Sequence, residues 1–282
     1  NEVMGRGKLA RLVALARIAR VTLCADDPRQ VEEAEAAAEA AGIRLPMLVE
    51  IDVGSARCGV PPGEAAVELA LRIAQSRHLR FDGLQAYHGS AQHRRTPRER
   101  EAAIEGAAHG VCVTIDALRH AGLACPVVGG AGTGTFELEA ASGLWTEIQA
   151  GSYVFLDADY ARNEGADGEP FGTFRHALFV LASCMSRQGQ HRAVLDAGHK
   201  AVPTDSGMPL VWRREGLTYR GASDEHGTLH ADEPQFLPTL GEKLRLVPAH
   251  CDPTVDRFDW YVGVRKGRVE CLWPVAARGS MS

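Results

Sequence analysis

Along the first 150 residues, short apolar runs alternate with longer stretches whose apolar positions recur every three or four residues. The short runs "RVTLCADD" (20–27), "PMLVEIDVG" (46–54), "LRFDGLQAYHG" (79–89), "CPVVGGAG" (125–132) and "WTEIQAG" (145–151) predict five strands. Between the first two, "DPRQVEEAEAAAEAAG" predicts a helix with Asp27 as N-cap, Pro28 at its first position and Gly42 as its stop. A second helix is expected from about Gly63 to Ser76, and "TPRE" (96–99) is a capping box opening a third that reaches about His120.

Repeated strand–helix units predict a parallel sheet. A doubly wound sheet has the same rhythm, but the Gly-x-Gly-x-x-Gly that would follow its first strand is absent. Polar residues gather instead at the ends of several strands: Asp52 and Arg57, Tyr87 and His88, Gly132 and Thr133, then Gln149. Chemistry spread over many strand ends is the habit of a (β/α)8 TIM-type barrel. The chain opens on Asn1 in mid-rhythm, so the first strands of that barrel are expected upstream, in a longer protein.

After about residue 172 the pattern changes to short strand-like runs separated by Gly, Pro and Asp, among them "ALFVLASCMS", "HRAVLDAGH", "KLRLVPAH" and "WYVGVRKGRVECLWPV". The expected organisation is a barrel domain over residues 1–172 and an antiparallel β domain over 173–282.

A net charge of −5 argues against a nucleic-acid groove or a basic membrane face, and no apolar run approaches the length of a membrane span. Seven scattered cysteines without a C-x-x-C pair suit reduced thiols in the cytoplasm better than a disulfide framework.

Three stretches carry candidate chemistry. In "VVGGAGTGTF" (127–136), glycines admit backbone N–H groups to a phosphate and Thr133 or Thr135 adds a hydroxyl; Gly151 and Ser152 of "QAGSYVF" offer a second such loop. In "LQAYHGSAQH" (84–93), strand alternation puts Gln85 and Tyr87 on one face and His88 on the other, with His93 in the loop beyond. In "VPAHCDPTVDRFDW" (247–260), strand alternation carried through from "KLRLVPAH" pairs His250 with Asp252 and turns Cys251 away. An imidazole and a carboxylate suit Mn²⁺, Mg²⁺ or Co²⁺, whereas a site using Cys251 would favour Zn²⁺. The competing reading is that Asp252-Pro253 only begins a turn.

Together these stretches resemble the alanine racemase-like, fold-type III pyridoxal-phosphate enzymes. "IDVGSARCGV" is similar to their strand-end Asp-x-Gly-x-x-Arg-x-Gly pattern, which implies that Arg57 meets the cofactor's phenolic oxygen. Gly151 and Ser152, with Gly132 and Thr133, match the phosphate loops. Gln149 stands where many racemases carry an arginine facing the pyridine nitrogen, a departure that speaks against racemase chemistry. Within the group, "AHCDPTVDRFDWYVGVR" and "ECLWPVAARG" resemble the D-threonine aldolases, whose His-x-Asp distinguishes them from D-serine dehydratases with His-x-Cys.

The resemblance implies pyridoxal 5'-phosphate and a divalent ion, Mn²⁺ first and Mg²⁺ or Co²⁺ next, on His250 and Asp252. It implies cleavage of D-threonine and related D-β-hydroxy-α-amino acids to glycine and an aldehyde, with His93 as base and Tyr87 packing on cofactor or substrate. A dehydratase on the same fold and a non-catalytic cofactor carrier are the alternatives. The partner is a small amino acid, and the commonly dimeric habit of the group leaves a homodimer among the expectations. None of Lys8, Lys200, Lys243 and Lys266 has the context of the Schiff-base lysine, which is expected upstream of Asn1.

Overall fold

The computed structural model describes residues 1–165 and 167–280. Contacts divide the chain into two compact units, Asn1–Gly151 and Ser152–Ser282.

The first unit alternates helices and strands: α1 (Arg6–Ala16), β1 (Leu23–Ala25), α2 (Pro28–Ala41), β2 (Leu45–Glu50), α3 (Glu64–Gln75), β3 (Leu79–Gln85), α4 (Pro97–His120), β4 (Val127–Gly130), α5 (Phe136–Ser142) and β5 (Glu147–Ile148). The five strands form one sheet in sequence order, each pair parallel. Helix limits follow local chemistry. The Asp27 carboxylate accepts from the Arg29 N–H at 2.8 Å, and Gly42, at φ 64°, closes α2 in the left-handed region. Thr96 and Glu99 cap each other's backbone at the start of α4.

The core of this unit lies between sheet and helices, with Leu45, Met47, Ile73, Leu79, Leu84 and Leu118 fully buried. Each such side chain contributes roughly 1.5–3 kcal/mol. Strand β3 approaches β4 so closely at Gly83 (φ 143°) that a Cβ there would lie 1.9 Å from the Val127 carbonyl oxygen. Only glycine fits that position.

The second unit carries β6 (Val180–Gln188), β7 (Arg192–Leu195), β8 (Leu210–Val211), β9 (Leu217–Ala222), β10 (Gly227–Ala231) and β11 (Lys243–Val247) in one six-stranded sheet ordered β8-β11-β6-β7-β10-β9. Its named pairings are antiparallel. Burial alternates along β6 and β10, so one face covers a core of Val180, Leu195, Tyr219, Leu229 and Leu246. A short helix, α6 (Cys251–Val255), follows β11, and β12 (Trp260–Arg265) with β13 (Arg268–Pro274) forms a separate hairpin.

Two expectations shift. The division falls at residue 151 rather than near 172. The cause is backbone pairing: Ala158 and Asp159 donate to the carbonyls of Pro248 and Ala249 at 2.9 and 3.2 Å, which ties the segment after Gly151 to the β unit. The strand through "KLRLVPAH" ends at Val247, because His250 becomes the N-cap of α6 and the Thr254 hydroxyl donates to its carbonyl at 2.7 Å. Among the described residues, no helix is long and apolar enough to cross a membrane.

Candidate functional site

In the first unit, candidate residues sit on the loops after β2, β3, β4 and β5. Asp52 builds the loop that bears Arg57. One carboxylate oxygen accepts from the N–H groups of Gly54, Ser55 and Ala56 at 2.9, 3.0 and 3.1 Å. Partial burial pushes its pKa up, but these three amides outweigh that and hold it below the usual carboxylate range. Ala56 is thereby held at φ 49°, a conformation a non-glycine residue adopts only under constraint. Gly59 closes the loop against Asp52, whose backbone nitrogen would lie 2.4 Å from a Cβ there. The expected Asp-x-Gly-x-x-Arg-x-Gly pattern thus has a local physical cause.

Arg57 itself is exposed, with its guanidinium carbon 5.4 Å from the centroid of the Tyr87 ring and an amino nitrogen 3.7 Å from Glu50. Glu50, Glu2 and Cys58 form a set of three potential metal ligands within 4.8 Å of one another. Burial, then the neighbouring Glu2 carboxyl, pushes Glu50 up to about 7, while Arg57 pulls the other way. The Arg57 cation lies beside this cluster, 3.7 Å from Glu50.

Strand β3 ends at Gln85, so Tyr87 and His88 lie beyond the strand rather than on its two faces. Gln85 is buried and exchanges two hydrogen bonds with Gln149, at 2.8 and 2.9 Å, and Gln149 also donates to Glu147 at 2.9 Å. Both amide hydrogens of Gln149 are thereby committed within the protein, and what it presents is neutral. His88 is buried; burial, then Arg94, lowers its pKa against the pull of Asp52. His93 ends the 3₁₀ turn Gly89–His93 and is exposed.

The residue before it, Gln92, was missed by sequence reasoning although it lies in a stretch singled out for chemistry. It is fully buried, donates to the Thr135 hydroxyl at 2.7 Å and accepts from the Gly134 N–H at 2.9 Å. Gln92 therefore fastens the His93 turn to the Gly132–Thr133 loop. Thr135 in turn donates to Glu139 at 2.9 Å, so its hydroxyl is committed within the chain. Gly132 packs where a Cβ would lie 2.5 Å from Gln92 Oε1 and 3.0 Å from the Tyr87 hydroxyl. At Gly151 the space is open. A planar aromatic anion suits this set: a fixed cation stacked on a tyrosine, and glycine backbone at two strand ends.

In the second unit, His250 Nε2 lies 3.5 Å from Asp252 Oδ2. Two donors at about 2.1 Å from one ion are roughly 3.0–3.4 Å apart, so one divalent ion fits between them. Cys251 points inward and is buried; burial, then Asp157 and Asp252, pushes its thiol up to about 12, and its backbone N–H donates to Asp157 at 3.0 Å. Burial sets Cys251 apart from the more accessible His250 and Asp252. The extended N-cap at His250 and the first turn of α6, not strand alternation, set the directions of these three side chains. A residue without any signal in the sequence completes the group: the Asp205 carboxylate, 45 residues from His250, accepts from its Nδ1–H at 2.6 Å. Burial lowers the His250 pKa, but Asp205 and then Asp252 outweigh it and raise it. Lys200 is ion-paired with Glu225 at 2.8 Å in this same unit.

The family model for the alanine racemase N-terminal domain matches residues 3–159, and the model described as "Putative serine dehydratase domain" matches 177–264. The chain is 45% identical over 282 residues to the 3-hydroxy-D-aspartate aldolase of Paracoccus denitrificans (strain Pd 1222), covering 99% of this chain and 72% of that protein. It is 44% identical to the D-threonine aldolase of an Arthrobacter species, covering 99% and 73%. The crystal structure of the D-threonine aldolase of Filomicrobium marinum superposes with a TM-score of 0.96 at 50% identity, covering 100% of this chain and 76% of that one. A D-threo-3-hydroxyaspartate dehydratase from Delftia sp. HT23 is more distant, at 28% identity and a TM-score of 0.79, covering 96% and 76%. Parallel strand-end loops, an antiparallel second unit and these likenesses agree: the chain belongs to the alanine racemase-like family of D-threonine and 3-hydroxy-D-aspartate aldolases.

Proposed function

We propose that this protein is a carbon–carbon lyase that cleaves D-threonine and related D-β-hydroxy-α-amino acids to glycine and an aldehyde. The observation that carries the reading is the His250–Asp252 pair, 3.5 Å apart, with Cys251 turned inward. A His-x-Asp pair is a harder ligand set than one using the thiol, and by the resemblance it is the pair of the aldolases, whereas the related dehydratases carry His-x-Cys.

Arg57, Tyr87, Gly132, Thr133, Gly151 and Ser152 are the residues that would hold pyridoxal 5'-phosphate, which when bound supplies the conjugated ring that accepts the electrons of the breaking Cα–Cβ bond. His250 and Asp252 would hold a divalent ion, Mn²⁺ before Mg²⁺ or Co²⁺, which lowers the pKa of a hydroxyl or water beside it. Arg57 orients the cofactor as a fixed cation, and Tyr87 packs against cofactor or substrate. Gln149 accepts the place opposite the pyridine nitrogen without adding charge there. His93 takes the proton from the β-hydroxyl oxygen on an imidazole nitrogen, directly or through water, as that oxygen becomes the aldehyde carbonyl.

The seven cysteines, all unpaired, support a cytoplasmic location. The exposed Trp260, Val262, Leu272 and Trp273 of the β12–β13 hairpin support a homodimer. Incubation of the protein with D-threonine, pyridoxal phosphate and Mn²⁺ tests the activity. Glycine and acetaldehyde in equal amounts are expected; 2-oxobutanoate and ammonia would make it a dehydratase, and no turnover would leave a cofactor carrier.

A further inference from the structure

We infer that Asp205 is a positioning residue for the divalent ion: it fixes the tautomer and ring orientation of His250 so that Nε2, and not Nδ1, faces the ion. The inference rests on the proposal that His250 and Asp252 hold that ion.

Distances decide which nitrogen does which job. At 2.6 Å, the Asp205 Oδ2 to His250 Nδ1 contact is a direct charge-assisted hydrogen bond, too short to admit an ion between the two atoms. The Nε2 to Asp252 Oδ2 distance of 3.5 Å has room for one. An ionised carboxylate only accepts, so the proton of the neutral ring sits on Nδ1 and the Nε2 lone pair is left for the metal. The two ring nitrogens diverge, so Asp205 acts on the ion through the imidazole and is not a third ligand. A carboxylate on the outer nitrogen of a metal-bound histidine holds the ring and strengthens it as a donor.

The turn that presents Asp205 is built for the purpose. The Gly207 N–H returns to the Thr204 carbonyl at 3.3 Å, and Gly207 itself is at φ 121°. The Arg162 guanidinium donates to the Ser206 carbonyl at 2.6 Å and pairs with Asp159. A Cβ on Gly207 would lie 3.0 Å from Arg162 Nη1, so the turn and its clamp fit closely. The Ser206 hydroxyl donates to the same Asp205 oxygen at 3.1 Å, which holds the carboxylate rotamer.

The test is the affinity for Mn²⁺, read from the free-ion electron paramagnetic resonance signal with the pyridoxal-phosphate-loaded protein. Wild type, Asp205→Ala, Asp205→Asn and His250→Ala are titrated alongside their melting temperatures. Asp205→Ala should weaken binding by about 10–100-fold. Asp205→Asn, whose amide oxygen still accepts from Nδ1–H, should fall between it and wild type, with melting temperatures unchanged. Mn²⁺ affinity of both Asp205 variants within twofold of wild type, while His250→Ala loses the ion, overturns the inference alone. Undiminished binding by His250→Ala overturns the metal site on which it rests.

Discussion

Around Arg57 and His93 the functional side chains ride on loops whose backbone is fixed by buried polar groups, whereas around His250 the side chains are held by one another. In the first region Asp52 gathers three N–H groups and Gln92 joins two loops, so a change at either is felt by the whole strand end. In the second, His250 stands between two carboxylates, Asp205 and Asp252. The lesson is that a cofactor-sized surface needs a rigid scaffold, while a single ion needs only a few donors at the right separation.

The largest expected effect probes the scaffold. Gly83→Ala places a methyl against the Val127 carbonyl at a backbone angle that suits only glycine, and should cost about 3 kcal/mol or more of stability in denaturant unfolding. A cost below about 1 kcal/mol would show that the sheet yields more readily than its closeness implies.

Glu139 tests the same region through pH. It is buried beneath the Gly132–Thr133 loop with one oxygen unpartnered, and burial pushes its pKa up from 4.5 to about 7. The folded state therefore keeps a proton that the unfolded state releases between those values. This contribution is present in full below about pH 4.5, is lost progressively as pH rises from there through about 7, and is gone above that, a change of roughly 3 kcal/mol. Glu139→Gln should flatten that part of the pH–stability curve and raise stability at pH 8 relative to wild type. Parallel curves for the two proteins would contradict it.

Arg57→Ala should weaken pyridoxal-phosphate binding by about thirtyfold in an absorbance titration, the scale of one charge-assisted contact. Arg57→Lys should not restore it fully, because lysine lacks the planar face that stacks on Tyr87. The smallest effect belongs to Cys251→Ser. With the thiol buried and protonated, Mn²⁺ affinity should stay within twofold of wild type.

Much of the scaffold was legible because its signals are local. The Asp27 and Thr96 caps, the Gly42 stop and the five strands each rest on a few neighbouring residues. The two-residue strand β8 and the helix α6 were not legible, since neither is long enough for periodicity to register. Within the candidate site, spacing and the family resemblance pointed to Arg57, His93, His250 and Asp252. They did not find Gln92 or Asp205, whose roles come from partners 42 and 45 residues away. Nor did they show that the Thr135 hydroxyl is spent on Glu139, because burial decides that and sequence carries no burial.

The central claim is that an ion on His250 and Asp252 drives the cleavage. The most direct test measures acetaldehyde release from D-threonine by Asp252→Ala with and without Mn²⁺, together with the absorbance of the bound cofactor. The account predicts at least about a 100-fold loss of the Mn²⁺-stimulated rate with cofactor absorbance unchanged, the scale of several kcal/mol of transition-state stabilisation. A variant that still responds to Mn²⁺ and turns over at the wild-type rate would contradict it.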